Sequence, residues 1–415
     1  MKTIAVLGGG PASSAVALLL ARQGRRVALF CPEEQSPQAL PVRVGESLVP
    51  AVVPYLQALG VEEEVASYST HKRGACFLFG DKLEAILDFQ QGGRDPAYSY
   101  NVPRIEFDAT LLRAAERAGV TICRREVKLD RDSTGQRLLL DQDSIDATGD
   151  TLSGQPDLFI DGSGRKRVVS RVLDLPTRRG PRQDVALFAH VDRAPLLREG
   201  NVHTERLRHG WSWRIPVLGR VSIGIVVPES VVSELGQTPE EQFDGLVATD
   251  PVLAKALGES RRVTQVQRFA NYQLVTERAV GGNWALLGDA AGFVDPVFSS
   301  GLYLGVQGAF RLAAAVAKGS ERAMRRYETN ALEQIAAWHF IVEQFYNGRL
   351  FTSFRVGESQ PPRTALGRAL EAHFSKHIGR IFSGSAAESA YSLWLLRVAC
   401  KYGVQDADPS EMSVR

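Results

Sequence analysis

Thr3 to Leu7 form a short run of buried-strand character, followed by Gly8-Gly9-Gly10-Pro11 and then by apolar residues at helical spacing from Ala15 to Gln23. Gly24-Arg25-Arg26 turns the chain into a second apolar run, Val27 to Phe30. This succession predicts a strand–turn–helix–strand unit at the head of the chain. Two later apolar runs end in the same way. Asp157 to Ile160 leads into Asp161-Gly162-Ser163-Gly164-Arg165, and Trp284 to Leu287 leads into Gly288-Asp289. Between them, Val185–Val191, Gly210–Pro216 and Val221–Val226 have strand composition. The period of two places the indoles of Trp211 and Trp213 on one face. A helix is predicted from Pro50 through Tyr55 to Leu59, a strand in the second half of 71–80, an extended piece at Ser99–Pro103 and an amphipathic helix from Glu106 to Gly119. Beyond Gly301 the pattern turns helical, over 302–309, 309–317, 323–345 and 387–402, and the polar tail from Asp406 to Arg415 reads as loose.

The glycine turns carry the first chemical information. Gly8 permits a tight turn, and Gly10 lets the backbone approach a pyrophosphate seated on the helix N-terminus. Ser13 stands at the third small position, after Pro11 and Ala12. Cys31 stands where an acidic residue usually holds the adenosine ribose, and Glu33 or Glu34 from the next turn is left as the substitute. Asp289 ends a strand, where it can accept from a ribityl or ribose hydroxyl. A helix beginning near Ser299-Ser300-Gly301 offers unpaired N–H groups to an anion or an electron-rich ring edge.

Composition narrows the class. The chain has 415 residues, 44% hydrophobic and 23% charged, with a net charge of +2. That is enough chain for two interleaved domains, and the charge does not suggest nucleic acid. Arginines gather at 178, 179 and 182 and again at 193, 198, 206 and 208, a solvated face by default. Cys31, Cys76, Cys123 and Cys400 have no metal-ligand or redox-pair spacing, which suggests a reducing, cytoplasmic setting. No apolar run is long enough to span a bilayer.

Other segments have bland readings when taken singly. Gly45-Glu46-Ser47 after Arg43 precedes a capped surface helix. Lys72 enters a strand, where a solvated end residue is the default, and His71 would simply flank it. Trp211 and Trp213 would be core or interface packing. Glu333 could polarise an indole N–H, but a solvent-facing helix position suits it better.

Together these segments change the reading. Gly8-x-Gly10, Gly45-Glu46-Ser47, Lys72-x-Gly74-Ala75, Trp211-x-Trp213-x-Ile215-Pro216 and Gly288-Asp289 to Gly301 occur in one order along residues 1 to about 350. In this the chain resembles the flavin-dependent halogenases and their relatives among the FAD monooxygenases, including those that hydroxylate tryptophan during tryptophylquinone maturation. The resemblance implies an α/β fold: an FAD-binding, Rossmann-like βαβ domain, an inserted β-sheet substrate domain as in the aromatic hydroxylases, and a helical C-terminal region. The expected division is 1–70, 100–180 and 265–320 for the FAD domain, 71–99 and 181–264 for the substrate sheet, and 321–415 for the helical region. It implies that Gly8, Gly10, Pro11, Ala12 and Ser13 bind the pyrophosphate. Arg43, Glu46, Ser47, Arg104 and Asp289 would lie along the FAD, with Pro296, Gly301 and Leu302 toward the flavin ring.

What the resemblance implies about the reaction divides. The shared chemistry is oxygen addition to reduced flavin, giving a C4a-hydroperoxide. A hydroxylase passes its distal oxygen to an electron-rich aromatic ring, in a small molecule or in an indole of a peptide or protein. A halogenase oxidises halide instead, and Lys72 would carry the activated halogen, with Trp211 and Trp213 walling the pocket. Lys72 and the tryptophan pair favour halogenation. The short region beyond about residue 350 counts against it, so hydroxylation is placed slightly ahead. A flavin reductase of isoprenoid double bonds and a non-catalytic FAD scaffold stand further back. NAD(P)H acting directly, or a separate flavin reductase, would supply the electrons.

Overall fold

The computed structural model describes the chain apart from residues 33–41, 81–83, 91–95, 360–372, 374, 375, 378, 403, 405, 406 and 415. Five parallel strands make the smaller sheet, in the order Trp284–Leu286, Leu158–Asp161, Thr3–Leu7, Arg26–Phe30 and Thr121–Cys123. These strands read as continuous apolar runs because both faces are covered. Ile4 and Val6 pack into one hydrophobic cluster, and Ala5 and Leu7 into another. On the first face lie the helices Pro11–Arg22, Arg104–Arg117 and Ser300–Lys318. The register sets Leu7 opposite both Asp161 and Phe30, and Asp161 opposite Leu286. Three strands therefore end level, and their three glycine turns emerge side by side. Ligands of parallel sheets bind beyond these carboxyl ends.

The larger sheet has eight strands, in the order Gly292–Phe293, Gln267–Thr276, Thr177–Val191, Arg220–Pro228, Gly210–Val217, Val202–Leu207, Gly74–Leu78 and Glu84–Asp88. Val202–Leu207 pairs in parallel with Gly74–Leu78, and the other neighbours are antiparallel. Ala186 and Phe188 face one core while Val185, Leu187 and Ala189 face another, the alternation expected of a doubly covered sheet. The strand begins at Thr177, well before the apolar run that announced it. The polar stretch from Thr177 is held by its ladder with Gln267–Thr276, which slips register between Arg179 and Gln183. Thr177–Val191 runs across position 180, and its ladder joins it to Gln267–Thr276 within one sheet.

The two helical stretches at 302–317 are one helix, Ser300–Lys318, and Glu321–Tyr346 and Ala390–Tyr402 follow near their expected places. The tail corrects its expectation. Met412 and Val414 are buried, the Val414 N–H donates to the Tyr346 carbonyl at 3.0 Å, and Arg355 pairs with Glu411 at 2.8 Å. Two apolar side chains in a polar stretch are enough to dock it.

Candidate cofactor and catalytic site

A cavity of about 410 Å³ lies between the two sheets, at the level where the glycine turns emerge. Gly8, Gly9, Gly10, Pro11 and Ala12 line it from the first turn, Gly162 to Arg165 from the second, and Gly288 and Asp289 from the third. Gly8 has φ +104°, and a Cβ there would stand 2.7 Å from the Gly162 carbonyl oxygen, so two turns meet without room for a side chain. A Cβ at Gly10 would meet nothing within 4 Å, so the space beside it belongs to the cleft.

Two helices point their N-termini at this space. Pro11–Arg22 and Ser300–Lys318 both start without a side-chain cap, which leaves their first N–H groups to the cleft. Ser299, before the second helix, is held at φ 55°, a costly conformation for a residue with a side chain. Pro296, Gly301 and Leu302 line the cleft around that helix start. Arg43 and Arg104 line it as well. Both are braced by Asp108, at 2.7 Å from Arg43 Nη1 and 2.9 Å from Arg104 Nε. Arg104 also donates to the Val44 carbonyl, and Gly45, at φ +94°, leaves room for its guanidinium. Burial raises the Asp289 carboxyl, while the guanidinium groups of Arg165 and Arg104 oppose that rise. Two uncapped helix N-termini, glycine walls and several guanidinium groups fit a dinucleotide carrying a pyrophosphate.

Ser13 departs from expectation. It is fully buried, and its hydroxyl donates to the carbonyls of Gly162 at 3.0 Å and Leu7 at 3.3 Å. It fastens the two turns from behind and does not line the cleft. Cys31 is buried under Gly9, where an added Cβ would stand 2.7 Å from its own. Glu33 and Glu34 lie outside the described residues.

The Gly45-Glu46-Ser47 turn connects the cleft to the larger sheet. Glu46 and Ser47 line the cavity. Glu46 Oε1 meets His190 Nε2 at 2.7 Å, both groups being buried, and His190 Nδ1 has no partner among the described residues. Ser47 Oγ accepts from Lys72 Nζ at 2.7 Å, and the Leu48 carbonyl accepts from the same nitrogen at 3.0 Å. Lys72 is 3% exposed, which overturns the solvated-end reading. Among the described residues no carboxylate stands beside its ammonium, the Phe89 ring lies at 5.5 Å, and burial pushes its pKa from 10.5 down to about 7. A neutral amine has two N–H donors. Ser47 and Leu48 take both, leaving the lone pair.

Trp211 and Trp213 line the cleft from the larger sheet, their ring centroids 5.7 Å apart. Trp213 Nε1 donates to Ser222 Oγ at 3.3 Å. Trp211 Nε1 donates to the Tyr346 hydroxyl at 3.0 Å, and that hydroxyl donates to Asp295 Oδ2 at 3.0 Å. His71 and Glu333 are exposed and stand apart from the cleft, His71 stacking on Tyr98. His190, Tyr346 and Arg165 were not anticipated. Only Arg165 left a trace in the sequence, as a member of the second glycine turn.

This geometry has relatives. The model of the tryptophan halogenase family matches residues 3–85 and 81–354. The tryptophan 2-halogenase of Chondromyces crocatus is 30% identical over 374 residues, spanning 85% of this chain and 69% of that one. The chain belongs to the tryptophan halogenase family. Another relative, the 1H-pyrrole-2-carbonyl-[peptidyl-carrier protein] chlorinase of Pseudomonas fluorescens, is 28% identical over 400 residues, or 88% of this chain and 87% of its own. Among solved structures, the flavin-dependent brominase Bmp2 superposes with a TM-score of 0.80 at 21% identity, covering 96% of this chain and 98% of that one. The halogenase PltM, determined with phloroglucinol and FAD, gives 0.72 at 18% identity, over 97% and 91%.

Membership in the tryptophan halogenase family makes the chain an FAD-dependent, oxidoreductase-type enzyme and bears out the expected α/β fold. It also reverses the order of the two reactions. These relatives are halogenases, and hydroxylation, placed first on the length of the C-terminal region, has no counterpart among them. No helix among the described residues is long and apolar enough to cross a membrane.

Proposed function

We propose that this chain is a flavin-dependent halogenase acting on an electron-rich aromatic ring, with Lys72 carrying the activated halogen. The observation that carries the reading is the buried Lys72 amine, held by Ser47 next to the cleft and brought to a pKa of about 7 by burial alone. FAD, when bound and reduced, supplies the activation of oxygen that turns halide into hypohalous acid. The glycine turns, Arg43, Arg104, Asp289 and the Ser300 helix start would hold it, with Pro296, Gly301 and Leu302 nearest its ring.

Neutral Lys72 attacks the halogen of hypohalous acid with its lone pair. An N–halogen bond forms, the O–halogen bond breaks, and hydroxide leaves with a proton from the nitrogen as water. Ser47 Oγ and the Leu48 carbonyl hold the amine so that its lone pair is not spent on a hydrogen bond. The ring then takes the halogen at an electron-rich carbon as the N–halogen bond breaks, and the proton lost from that carbon returns to the Lys72 nitrogen. Trp211 and Trp213 form an apolar wall suited to a flat ring and to the exclusion of water. A separate flavin reductase would supply the electrons.

The test is turnover of the full chain with FAD, NADH, a flavin reductase, oxygen and bromide, offered tryptophan, phloroglucinol and a carrier-bound pyrrole. Mass spectrometry reads the product. A brominated ring that disappears with Lys72→Ala is the expected result. An oxygenated ring formed without halide would return the assignment to hydroxylation.

A further inference from the structure

Arg165 stands in the short turn after Leu158–Asp161 and lines the cleft. Its guanidinium carbon lies 4.8 Å from the centroid of Phe269 and 4.9 Å from that of Phe293. Among the described residues it makes one hydrogen bond, from Nη1 to the Ala270 carbonyl at 3.5 Å, the outer limit for such a contact. Asp289 is the carboxylate that acts on it, from beyond ion-pair distance, and Arg104 faces the same carboxylate. A guanidinium has five N–H donors, and burying its charge without a partner is costly. Here two ring faces fix a guanidinium whose residue lines the cleft. Such an arrangement is preorganised for an anion that the protein itself does not provide.

We propose that Arg165 is a cofactor-binding residue, donating hydrogen bonds and charge to an anionic group of FAD in the cleft. The proposal rests on the reading of the cleft as an FAD site. Two groups of FAD have this chemistry. The second glycine turn abuts Gly8, on the pyrophosphate side, whereas Phe293 and Asp289 lie toward the Ser300 helix, where the flavin ring would carry its charge when reduced.

The experiment compares wild type, Arg165→Gln and Arg165→Lys, with thermal melts of the apoproteins to confirm folding. It measures the Kd for oxidised FAD, the Kd for ADP and the midpoint potential of the bound flavin. Arg165→Gln is expected to weaken FAD binding at least tenfold or to lower the potential, and Arg165→Lys to recover part of the loss. Parallel losses of FAD and ADP affinity at an unchanged potential place the group at the pyrophosphate. Unchanged ADP binding with a more negative potential places it at the reduced ring. Both Kd values within twofold of wild type and an unchanged potential in Arg165→Gln would overturn the proposal. Wild-type protein that binds no FAD would sink the proposed function as well, so the two failures are distinct.

Discussion

At the scale of single residues, Lys72 gives the sharpest expectation. Its amine can take up halogen only when neutral, so the halogenation rate should rise as pH passes through about 7 and level off above it. Stability should follow the same group. Its pKa falls from 10.5 to about 7 on folding. Between those values the unfolded chain holds a proton that the folded chain lacks, so the stability contributed by this site rises with pH across that window. Below about pH 7 the folded protein bears the full penalty of a buried ammonium. Lys72→Met should erase both trends. Urea unfolding at pH 6.5 and 9.5 would show it, with wild type gaining relative to Lys72→Met at the higher pH. Equal gains in both proteins would mean that Lys72 is charged where it sits.

At the scale of elements, Tyr346 ties three together. It ends the helix Glu321–Tyr346, accepts from Trp211 on Gly210–Val217, and donates to Asp295 in the loop before Ser300. Asp295 Oδ1 accepts from the Val297 N–H at 3.0 Å, so the loop is braced at both carboxylate oxygens. Arg182 adds a cation 3.6 Å from the tyrosine ring centroid. Tyr346→Phe keeps the ring and removes the bridge, stranding a buried indole N–H and weakening the hold on Asp295. The expected cost is about 1–3 kcal/mol in a denaturant series, together with a higher KM for the aromatic substrate, because the loop and Trp211 both line the cleft. A variant with wild-type stability and KM would show the bridge to be dispensable. None of this was legible in the sequence. A tyrosine on an amphipathic helix looks like any core residue, and its partners lie 51 and 135 positions away.

At the scale of the whole molecule, what the sequence disclosed depended on how local its cause was. Strand followed by glycine turn is a local pattern, so the three turns that build the cleft could be read directly, and the even spacing of Trp211 and Trp213 gave their common face. The default of a solvated strand end fails for Lys72 because its surroundings, Ser47, Leu48 and Phe89, come together only in the assembled sheets. The Glu46–His190 pair spans 144 positions and leaves no local mark. The tail failed for a related reason: its polar composition is real, yet two residues decide where it goes. Met412 and Val414 are buried, a gain of about 1.5–3 kcal/mol for each such side chain. The Val414 N–H also meets the carbonyl of Tyr346 itself. Docking the chain end thereby steadies the residue that braces the cleft. Removal of residues 409–415 should lower the denaturation midpoint and raise KM for the aromatic substrate in the same direction as Tyr346→Phe. Adding Tyr346→Phe to the truncated chain should then cost less than it does in the intact one, because both changes loosen one support. Strictly additive losses would separate the tail from the cleft and reduce its role to covering apolar surface.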